Sequence, residues 1–349
     1  MKYFAERLRM ARVMRGLSMK ELVDKLDNKI TKQSIGRYEK GEMQPSKDIL
    51  MSLIDALDLK LDYFDRQISF DIQPEFRKLK KLPKKKQAEV IERTRDFVER
   101  YLEAEELVAA EIAFESPNYS CNSLEEAEIT AHQMRADRDL GEDPLYNIVE
   151  MFEDWGIKVY QDHFGTDSIS GMSSWIGVDQ AVIVINKSHN IDRQRFTALH
   201  ELGHLVLDIS DEVDEKTCER ICDRFAGAML IPASQLKSEL GNHRNDIHLK
   251  ELELIKNQYG ISPQALLYRA KDLGIISSYV HSQKMRYIRS MGWHKKNIGV
   301  YNGEENSNRL LQILCKGLSE DAITFSKAAS LNNMRVAEFR DLVKTKISD

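Results

Sequence analysis

Cysteine is scarce in this 349-residue sequence, which contains only Cys121, Cys218, Cys222 and Cys315. No two of them form a C-x-x-C pair, and so few cysteines in a chain of this length do not make a disulfide framework. Cys218 and Cys222 lie on the apolar stripe of a predicted helix, which favours a packing role. A Cys/His zinc site is the alternative.

Long hydrophobic segments are also absent. No apolar run approaches the ~18 residues of a membrane span, and the first four residues lead into an amphipathic helix rather than a secretion signal. We therefore expect a cytoplasmic protein that does not contact a membrane. With 42% hydrophobic and 31% charged residues, the chain is long enough for two or three domains with cores of their own.

Charge is unevenly distributed along the chain, although the net charge is only −5. Residues 1–47 carry twelve Lys/Arg and six Asp/Glu, and residues 77–86 carry seven basic residues and no acidic one. Residues 99–154 reverse this balance, with sixteen acidic residues and three basic ones. A basic N-terminal region of this kind predicts a polyanionic partner.

Two histidines stand at metal-binding spacing near the middle of the chain. His200 and His204 are four residues apart, so on a helix both imidazoles lie on one face and can share one ion, while Glu201 projects beside them toward a water on that ion. The metal that such a site favours is zinc. An apolar repeat predicts the helix independently of this motif, with Asp192 as its N-cap. The residues of the repeat are Leu199, Leu202 and Val206.

A second predicted helix, closed by Pro232, supplies two carboxylates. Glu219 and Asp223 are also one turn apart. We expect Glu219 to be the third metal ligand and Asp223 to accept a hydrogen bond from the far nitrogen of a metal-bound histidine, which fixes its tautomer. A solvated helix face is the alternative.

Two neutral imidazoles and one carboxylate leave a bound ion with an open, Lewis-acidic position. We predict that Glu201 is the general base and therefore the catalytic residue of a hydrolytic site. Four downstream residues are possible donors to an oxyanion, and their spacing singles out none of them. They are His243, His248, Tyr259 and Tyr268.

The motifs around these two helices occur in a specific order. They are Ser170-Gly171, Ala181-Val-Ile-Val-Ile-Asn186, His200-Glu-Leu-Gly-His204, Glu219-x-x-x-Asp223 and Leu230-Ile-Pro232. In this order, residues 115–275 resemble the ImmA/IrrE-type zinc metallopeptidase domain. The resemblance implies an α+β, zincin-like (gluzincin-type) fold in which His200, His204 and Glu219 hold zinc and Glu201 is the base. Cys222 stands where that family usually has alanine.

Short helices are predicted throughout the first 66 residues. Ser18 and Glu21 predict a capping box at the second helix, Thr31 or Lys32 begins the third, and Ser46 caps the fourth. These segments resemble the Cro/C1-type (Xre) helix-turn-helix, an all-α DNA-binding domain. The motifs that carry the resemblance are Ser18-Met-Lys-Glu-Leu22, Ser34-Ile-Gly-Arg-Tyr-Glu39 and Pro45-Ser46.

The helix-turn-helix resemblance implies specific DNA contacts. Lys32, Gln33 and Ser34 begin the recognition helix in the major groove, and Arg37 follows one turn later. Lys20, at the start of the second helix, is expected on the DNA backbone. Because such modules usually bind firmly as dimers, we expect a homodimer on double-stranded operator DNA. The alternative is a module retained for protein contacts.

The predicted architecture is multidomain. Residues 1–66 form the helix-turn-helix domain, residues 67–114 a basic and then helical linker with a possible dimerisation helix, and residues 115–275 the metallopeptidase domain. The lysines of the linker either contact phosphates or form a solvated basic face. Residues 276–349 are predicted to be a mostly helical C-terminal module of unknown role.

Two functions fit these motifs. In the first, a DNA-binding regulator carries a zinc endopeptidase of low basal activity that cleaves itself or a partner repressor, because relatives of the domain are associated with cleavage of Xre-type repressors. In the second, a non-proteolytic repressor or antitoxin-like regulator uses its peptidase-like domain to sense or bind a partner such as a toxin. Glu201 favours the first, because a metal-only scaffold needs no base. Both predict a nucleoid-associated protein.

Overall fold

The computed structural model describes residues 3–66, 82–293 and 298–344, which divide into two compact units. The first unit comprises residues 1–112, 176–178 and 308–349, and the second comprises residues 113–175 and 179–307. Residues 276–307 thus belong to the second unit, whereas the chain from Asn308 onward belongs to the first. The four-part division made from the sequence stays a prediction.

Side-chain caps set the starts of the helices in the first 66 residues. Ser18 and Glu21 form a capping box, and the side-chain oxygens of Thr31 and Ser46 each accept a hydrogen bond from the backbone N–H three residues later. These caps confirm the predictions. The helices are α1 (Phe4–Met14), α2 (Met19–Lys25), α3 (Lys32–Glu39) and α4 (Lys47–Leu57), followed by a 3-10 turn at Leu61–Asp65.

An apolar core holds these short helices together. Phe4 and Leu8 of α1 pack with Leu53 of α4 in one buried cluster. Ile35 and Tyr38 of α3 face the same core, because residues three apart lie on one side of a helix. The opposite face of α3 is therefore left toward solvent.

A 25-residue helix, α5 (Lys84–Val108), packs within the first unit. Arg7 of α1 donates a hydrogen bond to Glu99 of α5 over 2.6 Å, and both side chains are buried. Tyr101 and Ala104 lie in a core shared with the C-terminal helices. The apolar face of α5 is thus covered by its own chain, and the dimerisation helix stays a prediction. Residues 77–81 of the predicted basic segment lie outside the described part.

Among the residues described, three C-terminal helices also belong to the first unit. Lys60 donates to the carbonyl oxygen of Met334 over 2.7 Å, and Arg100 of α5 donates to that of Leu331 over 2.7 Å. These contacts join the C-terminal helices to α5 and to the end of the helix-turn-helix region. The C-terminal helices are α14 (Arg309–Ser319), α15 (Phe325–Leu331) and α16 (Val336–Val343).

A small mixed sheet forms part of the second unit. β2 and β4 are parallel, with Ile157 opposite Ala181, and β3 lies on the other side of β4, to which a short turn connects it. The strands predicted at residues 157–160 and 181–186 are confirmed, whereas β3 was not predicted. The strands of this sheet are β2 (Ile157–Asp162), β3 (Gly171–Ile176) and β4 (Gln180–Asn186). Two shorter strands, β1 (Tyr119–Ser120) and β5 (Leu207–Asp208), pair in parallel in a separate two-stranded sheet.

Two of the second unit's helices carry the predicted metal ligands, α8 (Ile191–Val206) and α9 (Glu215–Leu230). The prediction that Asp192 caps α8 is wrong: Asn190 is the N-cap, and Asp192 lies inside the first turn. Its buried carboxylate stands 3.4 Å from the Lys256 ammonium instead of at the backbone.

The second unit contains further helices besides α8 and α9. Among the residues described, no helix combines the length and hydropathy that a membrane span requires. These helices are α6 (Leu124–Asp137), α7 (Ile148–Asp154), α10 (Ala233–Leu240), α11 (Leu249–Tyr259), α12 (Pro263–Asp272) and α13 (Ser278–Ser290).

Candidate metal centre and nucleic-acid interface

Helices α8 and α9 bring three potential metal ligands together. The Nε2 atoms of His200 and His204 are 3.2 Å apart. The Glu219 carboxylate lies 3.5 Å from Nε2 of His200 and 3.4 Å from Nε2 of His204. The first distance is to Oε2 of Glu219 and the second to Oε1, so two imidazoles and one carboxylate from two helices converge on one region.

The spacing of these atoms fits zinc. Nitrogen and oxygen ligands bind zinc at about 2.0–2.2 Å, so in a tetrahedral site they stand roughly 3.3–3.6 Å from one another. The nitrogen–oxygen separations of 3.4 and 3.5 Å lie in this range, and the nitrogen–nitrogen separation of 3.2 Å is just below it. Two imidazoles and one carboxylate are also a donor set that zinc accepts.

Asp223 lies behind the first histidine. Its Oδ1 is 2.8 Å from Nδ1 of His200, on the ring side opposite Glu219. In the tautomer in which Nδ1 carries the proton, Nδ1 donates a hydrogen bond to Asp223. The lone pair on Nε2 then points toward His204 and Glu219. The position suits the role predicted for Asp223.

Glu201 is almost completely buried, with 2% of its surface exposed. Ser173 on β3 donates a hydrogen bond from Oγ to Oε2 of Glu201 over 3.0 Å. This contact orients the carboxylate of the predicted base. Ser173 was not predicted from the sequence, and the nearest predicted motif is Ser170-Gly171, which ends two residues earlier.

Close packing of β3 on α8 requires a glycine at position 171. A Cβ atom there would lie 2.5 Å from Cγ2 of Thr197 and 2.7 Å from the carbonyl oxygen of Val184. Both distances are shorter than any ordinary contact. Gly171 therefore allows β3 to approach α8 closely enough for Ser173 to reach Glu201.

Nδ1 of His204, the ring nitrogen that does not face Glu219, lies near the sulfur of Cys222. Sγ of Cys222 is 3.7 Å from Nδ1 of His204, and one ligand atom from each of His204, Cys218 and Cys222 lies within 4.8 Å of the others. Hydrogen bonds from Cys222 and His204 lower the pKa of the Cys218 thiol to about 5. Cys222 is buried, as its predicted packing role requires, but both sulfurs also lie close to His204 of the candidate metal centre.

A cleft of about 530 Å³ reaches Asp223. Its walls include Phe196, Tyr268 and Trp293, together with the basic side chain of Arg220. Of the four residues considered as oxyanion donors, only Tyr268 lines this cleft. Among the others, His248 caps α11 instead.

The residues predicted to contact DNA lie on the solvent side of the helix-turn-helix region. Lys32, Gln33 and Arg37 are exposed on α3, opposite its buried face, and Lys20 is exposed on α2. Ser34 is half-buried, and its hydroxyl lies 3.1 Å from that of Thr31. All five positions suit a groove-facing surface, and their contacts with DNA stay predictions.

Comparison with known families gives two matches in the order expected from the sequence. Residues 8–64 match the helix-turn-helix family model. Residues 152–271 match the IrrE N-terminal-like domain of the M78 peptidases, a family that implies zinc. Both resemblances are therefore confirmed, as is the multidomain fold class. A search of curated proteins found no match.

Proposed function

We propose that this protein is a transcription regulator with a working zinc endopeptidase, because it joins a helix-turn-helix domain to an IrrE N-terminal-like peptidase domain. The protease would cleave the protein itself or a partner repressor and so relieve repression. The observation that carries this proposal is that Glu201, the residue after His200 on α8, has a buried carboxylate that Ser173 orients, and that it is not itself one of the clustered residues His200, His204 and Glu219. A site that only bound an ion would not need this fourth, oriented group.

Each residue of the centre has a distinct task in this reaction. His200, His204 and Glu219 would hold the ion, and Asp223 would keep His200 in the tautomer that binds it. Zinc, when bound, supplies a Lewis acid for water and for a peptide carbonyl. Glu201 takes the proton of the attacking water and passes it to the leaving nitrogen.

The edge of the sheet is the proposed binding surface for the peptide. Among the described residues, β3 has one neighbour in the sheet, β4. An extended peptide can add to such an edge through its main chain. Because Ser173 of β3 contacts Glu201, a peptide on β3 lies next to the proposed base. The cleft beside Asp223 would receive a side chain of the substrate.

The experiment that tests proteolysis compares new protein N-termini in cells that express the wild type or Glu201→Gln. We expect a new N-terminus only with the wild type, either in the regulator itself or in another DNA-binding repressor. Both proteins must be present at equal amounts and bind the same DNA. Identical sets of N-termini would contradict proteolysis. They would favour the alternative, a repressor or antitoxin-like regulator that binds a partner without turnover.

Gln33→Ala and Arg37→Ala are expected to reduce discrimination between operator and scrambled DNA. Each lost base contact should cost ~1–3 kcal/mol of discrimination, measured by competition binding on duplexes selected from a random pool. Lys20→Ala is the contrasting variant, because loss of a phosphate contact weakens binding to all sequences and lowers the salt dependence. Unchanged discrimination in both α3 variants would show that α3 is not the recognition helix.

A further inference from the structure

We propose that Cys218, Cys222 and Nδ1 of His204 form a second metal site, which takes a soft, thiol-binding cation of the Cu(I) or Cd(II) kind. This site is separate from the cluster of His200 and Glu219 except for one shared residue, His204. The inference does not depend on proteolysis, because it concerns only what the sulfur atoms bind.

The distances suit a single ion. Sγ of Cys222 is 3.7 Å from Nδ1 of His204, and the ligand atoms of the three residues all lie within 4.8 Å of one another. Sulfur ligands stand about 2.3 Å and imidazole nitrogens about 2.0 Å from a tetrahedral ion such as zinc, which separates ligand atoms by roughly 3.5–3.8 Å. Thiolate ligands select soft cations.

The fold explains why the sulfurs reach this histidine. Cys218 and Cys222 are one turn apart on α9, so both lie on the same face. Gly203 on α8 lies opposite Cys222: a Cβ atom there would be 3.4 Å from Cβ and Sγ of Cys222, which is ordinary van der Waals contact. Cys222 is buried and Cys218 only partly so, which gives an incoming ion access from the side of Cys218.

The shared histidine makes the two sites competitors. Nε2 of His204 faces Glu219, whereas Nδ1 faces Cys222. A neutral imidazole has one lone pair on its ring nitrogens, so it ligates one ion at a time. A soft cation on the two sulfurs and His204 therefore removes one of the three ligands proposed for zinc. Soft cations would act on the protein as displacers of zinc.

The test uses the full-length protein, stripped of metal by a chelator and titrated with Cd²⁺ alone. Binding is followed by the cadmium–thiolate charge-transfer absorption. We expect saturation near one equivalent in the wild type. Cys218→Ser should need at least about tenfold more Cd²⁺, since even losses in the outer shell weaken metal binding 10–100-fold. Cys315→Ser, at an exposed cysteine, is the control and should match the wild type.

Further variants separate this site from the zinc site. Glu219→Ala should keep the cadmium–thiolate signal even if the chain proves to bind no zinc, so the two proposals can fail independently. Because Cys222 is buried, Cys222→Ser can disturb folding, and Cys222→Ala is the second variant at this position. Tryptophan fluorescence must show that each variant used is natively folded. A wild-type titration curve in folded Cys218→Ser, or an unchanged midpoint in His204→Ala, would overturn the site.

Competition tests the shared ligand directly. Adding one equivalent of Cd²⁺ to zinc-loaded protein should release zinc from the wild type but not from Cys218→Ser. Zinc release from both would mean that Cd²⁺ replaces zinc directly in the His200 cluster, which contradicts the proposal. Full zinc retention in the wild type, at a saturated cadmium–thiolate signal, would likewise contradict the sharing of His204.

Discussion

Glu201→Gln is expected to abolish peptide cleavage while zinc and DNA binding persist. Glu201 is not one of the three potential ligands, so its loss should not release the ion. An amide cannot accept the proton of the attacking water, and general-base catalysis contributes about 10²–10⁴-fold to the rate. Glutamine has nearly the same size and can still accept a hydrogen bond from Ser173, so the buried position stays filled.

The rate is measured by intact-protein mass spectrometry on the substrate that the N-terminal comparison identifies. Zinc content and unfolding must be equal in both proteins, so that only the base differs. Ser173→Ala is the graded control: it removes the hydrogen bond to Oε2 of Glu201 but keeps the carboxylate, and should lose less activity than Glu201→Gln. Cleavage by Glu201→Gln at the wild-type rate would show that another residue is the base.

Glu305→Ala is expected to destabilise the second unit by about 3–5 kcal/mol, the usual cost of leaving a buried charge without its partner. Arg195 is completely buried and contacts Glu305. Glu305 also accepts hydrogen bonds from the backbone N–H groups of Ile148 and Val149 at the start of α7, over 2.8 and 3.2 Å. Burial raises the pKa of Glu305.

Loss of the Glu305 carboxylate should also weaken zinc binding at the candidate metal centre. Arg195 lies on α8 five residues before His200, and it also donates to the carbonyl oxygens of Leu145 and Tyr146 over 2.5 and 2.7 Å. These bonds fix the first turns of α8 against the segment before α7. We therefore expect weaker zinc binding in Glu305→Ala together with the lower stability.

Tryptophan fluorescence during urea unfolding measures this effect selectively. The three tryptophans, Trp155, Trp175 and Trp293, all belong to the second unit. Glu304→Ala is the matched control, because Glu304 is the exposed neighbour and its carboxylate bonds only to the nearby side chain of Asn306 among the contacts described. Equal unfolding free energies for Glu304→Ala and Glu305→Ala would contradict the proposed role of the ion pair.

Local patterns in the sequence predicted much of the two domains. The caps at Ser18 and Ser46 are confirmed, because a cap depends on residues three positions apart. The cluster of His200, His204 and Glu219 follows from spacing of one turn within each helix and from the approach of α8 to α9. The structure brings these three residues together, and their role as ligands stays a prediction.

Contacts between distant positions could not be predicted in the same way. Ser173 is 28 positions from Glu201, and Glu305 is 110 positions from Arg195. No local periodicity relates such residues. The sulfur of Cys222 was assigned to packing because it lies on an apolar stripe, and only the rotation of α9 against α8 shows that it also faces His204.

The partner of an amphipathic helix is equally hidden in a single sequence. α5 was predicted as a linker with a possible dimerisation face, and residues 276–349 as one separate module. In the structure Tyr101 of α5 shares a core with Leu314 and Phe339. An apolar stripe predicts that a helix is covered, but it does not specify which segment covers it.

Metal content is the measurement that tests the central claim most directly. The protein is purified without added metal in a Cys218→Ser background, so that the thiolate site does not contribute, and zinc is counted by plasma mass spectrometry. We predict ~one zinc per chain in this background. The control variant Glu215→Ala, which changes an exposed glutamate on the same helix as Glu219, should also keep ~one zinc per chain. His204→Ala and Glu219→Ala should bind almost no zinc. No zinc in any of these proteins, even after zinc is supplied, would contradict the account and leave a DNA-binding regulator with a metal-free, peptidase-like domain.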